Sequence, residues 1–204
     1  MKIFAVFASL ASPLLIASPS LAQDADPVRA GFYVGPMIGI DRFAGDEADG
    51  EVGLVYGALA GYDFSDGDLL VGVEAELLES SSKDSERDIF LDDDELRLGV
   101  GLDLHLGLRA GYRIGGSGLL FVKGGYTNLD VNARYTAVGI TPIKGKESLD
   151  GFRVGAGGEF TMARNVSARL EYRYSEYDGG EADPTFGDLA LQRHQGTLSL
   201  VFRV

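Results

Sequence analysis

Apolar side chains occupy every second position over long parts of this chain. The longest run spans residues 96–112, where leucine, valine, alanine and tyrosine alternate with arginine, glycine, aspartate and histidine. Successive side chains of a β-strand point to opposite faces, so a period of two predicts strands with one apolar and one polar face. A helix would spread the leucines around its circumference, and each interior glycine would weaken it by about 1 kcal/mol relative to alanine. The pattern predicts an all-β fold.

Tight turns and longer polar segments alternate between these strands. Glycine, aspartate and asparagine mark short turns at residues 65–68, 115–118 and 163–165. The longer connections lie at about 43–50, 80–94, 135–148 and 176–193. Eight strands result, at about 31–42, 51–64, 69–79, 95–114, 119–134, 149–162, 166–175 and 194–204. An even number of antiparallel strands can close into an up-and-down barrel without unpaired edges. Short periplasmic turns alternating with longer extracellular loops are typical of a transmembrane barrel of the outer membrane.

The charged residues of the strands share the face opposite the apolar one. A soluble ligand-binding barrel has its apolar face inside, whereas a membrane barrel reverses this arrangement. By strand parity the charged face carries Asp41, Asp63, Glu74, Glu76, Arg97, Asp103, Arg109, Arg113, Lys123, Arg153, Glu159, Arg169, Glu171, Arg173 and Arg203. Glycines concentrate on the same face, where they leave room for long side chains in a crowded interior. We therefore predict a charged, side-chain-filled lumen. Its structural charge network is assigned to Glu74, Glu76, Arg97, Asp103, Arg109, Arg113, Arg153, Glu159, Arg169, Glu171 and Arg173.

Aromatic residues on the apolar face cluster near the strand ends. If the even strands run down to the turns, a lower girdle contains Phe32, Tyr62, Phe64, Tyr112, Phe160 and Phe202. A sparser upper girdle contains Tyr126, Phe152, Tyr172 and Tyr174. Aromatic residues at both membrane interfaces are typical of outer-membrane barrels, so this placement favours a membrane location.

The first 22 residues have the features of a cleaved secretory signal. Lys2 provides the positive start, residues 3–16 are mostly apolar, and Ser20-Leu21-Ala22 fits a small-x-small cleavage site. We expect a mature chain that begins near Gln23, with a short periplasmic segment at residues 23–30 and a barrel at 31–204. The predicted location is the cell outer membrane, reached by export through the periplasm.

The composition of the chain limits the partners and the chemical groups that it can use. The chain has 31 acidic and 18 basic residues, a formal charge of −13, which becomes −14 when the signal with Lys2 is removed. Such a charge disfavours nucleic acid as a partner. The absence of cysteine excludes disulfides, thiol catalysis and thiolate metal sites. We predict no cofactor and no metal site, because the acidic stretches at 92–95 and 176–188 lack the spacing of a calcium loop.

The charge excess is expected outside the cell. The second and fourth loops carry Asp84, Glu86, Asp88, Asp92, Asp93, Asp94, Glu95, Glu176, Asp178, Glu181, Asp183 and Asp188. A host or envelope partner would bind through these acidic loops. We also expect proteases to reach them near Lys83, Arg87 and Arg193.

The two histidines offer little for catalysis. His105 lies on the charged face without a serine on its side of that strand, and His194 is two residues from Gly196 rather than from a serine. Nucleophilic catalysis needs a nucleophile beside its base. We predict that the protein is not an enzyme. Two alternatives stay open: an outer-membrane lipid-modifying enzyme with a histidine and a serine at the membrane rim, and a soluble periplasmic ligand-binding β-barrel.

Two adjacent segments carry a family resemblance. Residues 151–160 (GFRVGAGGEF) and 165–174 (NVSARLEYRY) resemble the penultimate hairpin of opacity-type, porin-like outer-membrane β-barrel proteins of Gram-negative bacteria, as do residues 31–35 and 71–74. The resemblance implies an eight-stranded surface barrel with a structural, adhesive or antigenic role and without a catalytic residue. It also implies a surrounding of outer-membrane lipid and insertion by the β-barrel assembly machinery. Such chains usually end in phenylalanine, whereas this one ends Phe202-Arg203-Val204.

Overall fold

Nine strand segments make up most of the described chain. The computed structural model describes residues 28–44, 49–81, 83–87, 95–136, 143–178 and 190–204. The strands are β1 (Gly31–Ala44), β2 (Asp49–Asp66), β3 (Leu69–Ser80), β4 (Lys83–Arg87), β5 (Glu95–Ile114), β6 (Gly118–Thr136), β7 (Ile143–Ala163), β8 (Val166–Asp178) and β9 (Ala190–Arg203). The predicted signal at 1–22 and the acidic residues 92–94 lie outside the described residues.

These segments form one closed antiparallel barrel. Neighbours follow the order β3-β2-β1-β9-β8-β7-β6-β5, and the pairing of β3 with β5 closes the ring. The short β4 pairs with β5 beyond the end of β3, with Lys83 opposite Gly99. Because β3 and β4 occupy one position in the ring, the barrel has eight strand positions. The predicted eight-stranded up-and-down barrel is confirmed.

The strands extend further at the loop end than the sequence pattern predicts. All three tight turns are confirmed, and Gly67 and Gly115 adopt positive φ angles of 58° and 60° there. At the opposite end β6 continues to Thr136, β7 begins at Ile143 and β9 begins at Ala190. The segment β4 lies within the predicted second loop. Above a membrane both strand faces meet water, so pairing continues there without the apolar alternation that reveals a strand.

The barrel is apolar outside and charged inside. Exposure alternates residue by residue along β3. Leu106 and Leu108 are 59% and 64% exposed on the outer face, whereas Glu74 and Glu76 are each 1% exposed inside. The predicted assignment of the two faces is therefore confirmed, and it contradicts the alternative of a soluble barrel. The aromatic residues of both predicted girdles point outward, Tyr174 with intermediate exposure, and Tyr56 joins them.

No helix in the described residues is long and apolar enough to cross a membrane.

Candidate functional site: the charged lumen

Among the described residues, the lumen contains equal numbers of buried acidic and basic side chains. Strand alternation points them inward, and each is at most 6% exposed. The acidic members are Asp41, Asp63, Glu74, Glu76, Asp103, Glu159 and Glu171; the basic members are Arg109, Lys123, Arg153, Arg169, Arg173, Arg193 and Arg203. Seven formal negative and seven positive charges cancel. This balance permits burial, because an uncompensated charge in a protein interior costs several kcal/mol.

Glu159 is the centre of the periplasmic layer of this network. Its Oε2 accepts hydrogen bonds from Arg169 Nη2 at 3.0 Å and Arg109 Nη2 at 3.3 Å. Its Oε1 accepts one from Arg203 Nη2 at 2.7 Å. Arg203 also donates to Asp63 Oδ2 at 2.9 Å. These five residues come from five different strands, so the layer joins most of the barrel circumference.

Two inward aromatic rings lie among the guanidinium groups of this layer. Arg109 and Arg169 lie 4.8 and 5.2 Å from the ring centroid of Phe121. Tyr33 has three arginine neighbours within 5.3 Å of its centroid, and its hydroxyl donates to Glu74 at 2.8 Å. Such contacts between cations and aromatic faces are favourable. A side chain at Gly157 would meet Phe121 Cζ at 2.8 Å, so this glycine makes room for the ring.

Lys123 connects three carboxylates in the middle of the lumen. Its Nζ lies 3.0 Å from Glu74 Oε1 and 2.8 Å from Glu171 Oε1, and it also contacts Glu76. Oxygens of these three glutamates lie within 4.8 Å of one another, an arrangement that can hold a metal ion. Here the lysine ammonium supplies the positive charge that offsets their mutual repulsion.

The network continues to the extracellular end. Arg173 pairs with Glu76 at 2.7 Å. Asp103 Oδ2 accepts from Arg153 and Arg193, both at 2.6 Å. Arg193 is also paired with Asp41, at 2.5 Å. The ion pairs therefore extend through the described lumen from one end to the other.

Arg193 is a correction to the sequence analysis, which placed it in a protease-accessible loop. It is fully buried in β9, and its two carboxylate partners hold it inside the barrel. Strand parity indicates this burial. Thr197 and Gln195 point inward, and position 193 lies on the same face of the strand, two residues before Gln195. Tyr33 and Phe121 also lie on the inner face, where strand parity places them beside the charged residues.

Two predicted network members differ from the rest. Arg113 is half-buried at the periplasmic mouth, where it donates to the backbone carbonyls of Val28, at 2.8 Å, and Gly67. This corrects its assignment to the ion-pair network, because its hydrogen bonds among the described residues go to backbone carbonyls rather than to a carboxylate. The backbone of Arg97 pairs with Ser85 and Arg134, but its side chain lies outside the described part of the structure.

The histidines occupy different surroundings. His105 is fully buried inside, opposite Glu76, and its ring nitrogens have no hydrogen-bond partner among the described residues. His194 lies on the outer face, where its Nδ1 is 2.7 Å from the hydroxyl oxygen of Tyr172. Among the described residues, the hydroxyl group in contact with His194 is therefore the phenol of Tyr172.

We expect no substantial general pore. An eight-stranded barrel is just wide enough for side chains to fill, whereas water-filled channels appear at about 16 strands. The fourteen buried charged side chains occupy this narrow space. Purified mature protein in planar bilayers should give rare or picosiemens-scale events. Reproducible large channels that pass sugars would contradict the filled lumen.

The sequence of this chain matches a family model over almost its whole length. Residues 7–203 match the family model described as "Outer membrane protein beta-barrel domain". A search of curated proteins finds no match.

Several solved barrels share the fold at low sequence identity. The attachment invasion locus protein (Ail) of Yersinia pestis is 15% identical with a TM-score of 0.55, covering 87% of this chain and 100% of Ail. Neisserial surface protein A is 15% identical with a TM-score of 0.50, covering 86% and 98%. The outer membrane protease OmpT of Escherichia coli is 8% identical with a TM-score of 0.50, covering 85% and 97%. At these identities the likeness concerns the fold alone.

Proposed function

Because this chain belongs to the outer membrane protein β-barrel family, located in the cell outer membrane, we propose that it is a non-enzymatic surface protein with an adhesive role. Its acidic extracellular segments would bind a basic partner. One observation carries this proposal: the buried charges of the described barrel interior cancel, so the large negative excess of the chain lies outside this set of buried residues.

The charge excess is large and concentrated. Once the seven buried acidic and seven buried basic residues are set aside, the mature chain retains 24 acidic and 10 basic residues. Twelve of those acidic residues lie in the two segments 84–95 and 176–188, which contain a single basic residue, Arg87. Both segments follow upward strands, at the end opposite the tight turns. Charge of one sign at the outer end favours partners of the opposite sign.

The negative sign of this charge indicates a class of ligand different from the sulfated one bound in a structure of similar fold. Ail of Yersinia pestis has been crystallised with the heparin analogue sucrose octasulfate. A sulfated ligand would be repelled by the acidic segments of this chain. A basic protein surface fits them better. Outer-membrane lipid around the apolar band and the β-barrel assembly machinery complete the proposed set of partners.

Binding to model polyions tests the proposal. Mature protein in lipid nanodiscs should bind immobilised poly-L-lysine and should not bind heparin. The binding to poly-L-lysine should weaken as added salt screens the charges. The double change Asp92→Asn with Asp93→Asn should lower the affinity by about tenfold, mainly through the association rate.

The matched control makes the same chemical change at the other end of the barrel. Asp66→Asn with Asp68→Asn alters the first tight turn and should leave poly-L-lysine binding unchanged in the same nanodiscs. Equal losses from both sets would mean that bulk charge, rather than the outer segments, governs binding. Tight heparin binding would contradict the proposed partner class.

A further inference from the structure

The chain enters β1 from inside the barrel. Val28 is 1% exposed and packs in one cluster with Leu70 and Leu119, two inward residues at the periplasmic ends of β3 and β6. A separate apolar cluster inside the barrel contains Tyr33, Met37, Leu59, Leu78 and Val201, so the contact of Val28 is a distinct apolar site at the mouth. The N-terminal segment 28–30 thus contributes a side chain to the interior that it precedes.

The backbone at Gly31 directs the segment into this position. Its φ angle is +129°, a conformation that residues with a side chain rarely adopt. A Cβ at Gly31 would make only an ordinary contact, with Val204 O at 3.4 Å. The requirement for glycine is therefore conformational, and it lies where the chain changes direction between the mouth and the barrel wall.

Two arginines hold the segment by its backbone. Arg113 Nε donates to the carbonyl of Val28 at 2.8 Å, and Arg203 Nη1 donates to the carbonyl of Arg29 at 2.8 Å. Arg113 also contacts the carbonyl of Gly67 in the first tight turn. Arg203 is at the same time part of the lumen network, through Asp63 and Glu159. The segment is therefore connected both to the rim and to the charged interior.

We propose that the periplasmic mouth is a peptide-binding site and that residues 28–30 of the same chain occupy it as a plug. The site has an apolar pocket for one aliphatic side chain and two guanidinium donors for successive carbonyls. The ligand that fits it is the chain's own segment, which supplies the Val28 side chain and the carbonyls of Val28 and Arg29. One buried side chain and two backbone hydrogen bonds make the plug removable without loss of the barrel, whose strands pair independently of it.

Thiol labelling measures whether the plug closes the mouth. The chain contains no cysteine, so Leu119→Cys introduces a single reporter beneath Val28. A bulky membrane-impermeant maleimide should label this reporter slowly in folded protein. Adding Val28→Asp or Gly31→Ala should raise the rate by about tenfold, since labelling of a protected site tracks the population in which it is open. A heat-modifiable band on an unboiled gel checks that each variant is folded.

Two controls isolate the plug. Gly115→Ala introduces the same kind of strain, at a φ of +60° in a turn where a side chain would meet nothing within 4 Å, and should leave labelling slow. Leu129 is a buried residue towards the opposite end of β6, and a Leu129→Cys reporter should be labelled at the same rate with and without Val28→Asp. Equal labelling of Leu119→Cys in all variants, or fast labelling of Leu119→Cys with no second change, would overturn the proposal.

A peptide added in trans tests the binding site itself. A variant lacking residues 23–30 and carrying Leu119→Cys should label fast, and a synthetic peptide of sequence 23–31 should slow that labelling in a saturable way. The same peptide with aspartate in place of Val28 should have no effect. Identical results with the two peptides would show that the mouth does not recognise the aliphatic side chain.

Discussion

Replacing Glu74 by alanine is expected to lower the free energy of unfolding by about 3–5 kcal/mol, the usual result of removing one partner from a buried ion network. Glu74 accepts from Tyr33 and Lys123 and pairs with Arg169, all inside the lumen. Its loss leaves the lumen with one uncompensated positive charge. Denaturant unfolding in detergent, followed by circular dichroism and the heat-modifiable band, measures the change; the chain has no tryptophan to report it.

Glu79→Ala is the matched control for this prediction. Glu79 belongs to the same strand but points outward, where it accepts a hydrogen bond from Tyr56 at 2.9 Å. An exposed contact of this kind is worth about 1 kcal/mol or less. The double change Glu74→Gln with Lys123→Gln restores the charge balance and should recover part of the lost stability. Equal effects of the two alanine variants would contradict the assignment of charges to the interior.

Arg193→Ala is expected to have a comparable effect, about 3–5 kcal/mol, at the extracellular end. Arg193 is the bridge between Asp41 and Asp103, and its removal leaves two buried carboxylates with fewer cations. The same change should increase proteolysis in the neighbouring loops, because the outer end of the barrel loses a contact between β1, β5 and β9. Unfolding curves and limited proteolysis of reconstituted protein measure both effects.

Arg164→Ala serves as the comparison, since Arg164 is exposed in the tight turn between β7 and β8. Its replacement should change the free energy of unfolding by less than about 0.5 kcal/mol. In the unaltered protein, trypsin should leave the bond after Arg193 intact. Rapid cleavage there, or equal stability of the two variants, would show that Arg193 does not lie in the barrel interior.

Local pattern alone predicts the barrel within the membrane. Side-chain alternation along residues 96–112, the turns around Gly67 and Gly115, and the parity of all seven buried acidic residues can be read directly, because a strand in a membrane barrel must present apolar groups to lipid and polar groups to the lumen. The pattern weakens where both faces of a strand meet water. For that reason β4 and the outer ends of β6, β7 and β9 required the structure.

Which charges meet is a tertiary result. Arg193 and Asp41 are 152 positions apart, and Arg169 reaches Glu74 over 95 positions, so neither pair has a local signature. Ring closure through β1–β9 and β3–β5 sets the register that brings them together. The sequence by itself determined that the charges of the membrane-spanning strand parts share one face, that this face lines the lumen, and that the excess charge is acidic. Only the closed barrel decided how the interior charges pair and that Val28 returns into the mouth, because these depend on long-range pairing rather than on neighbouring residues.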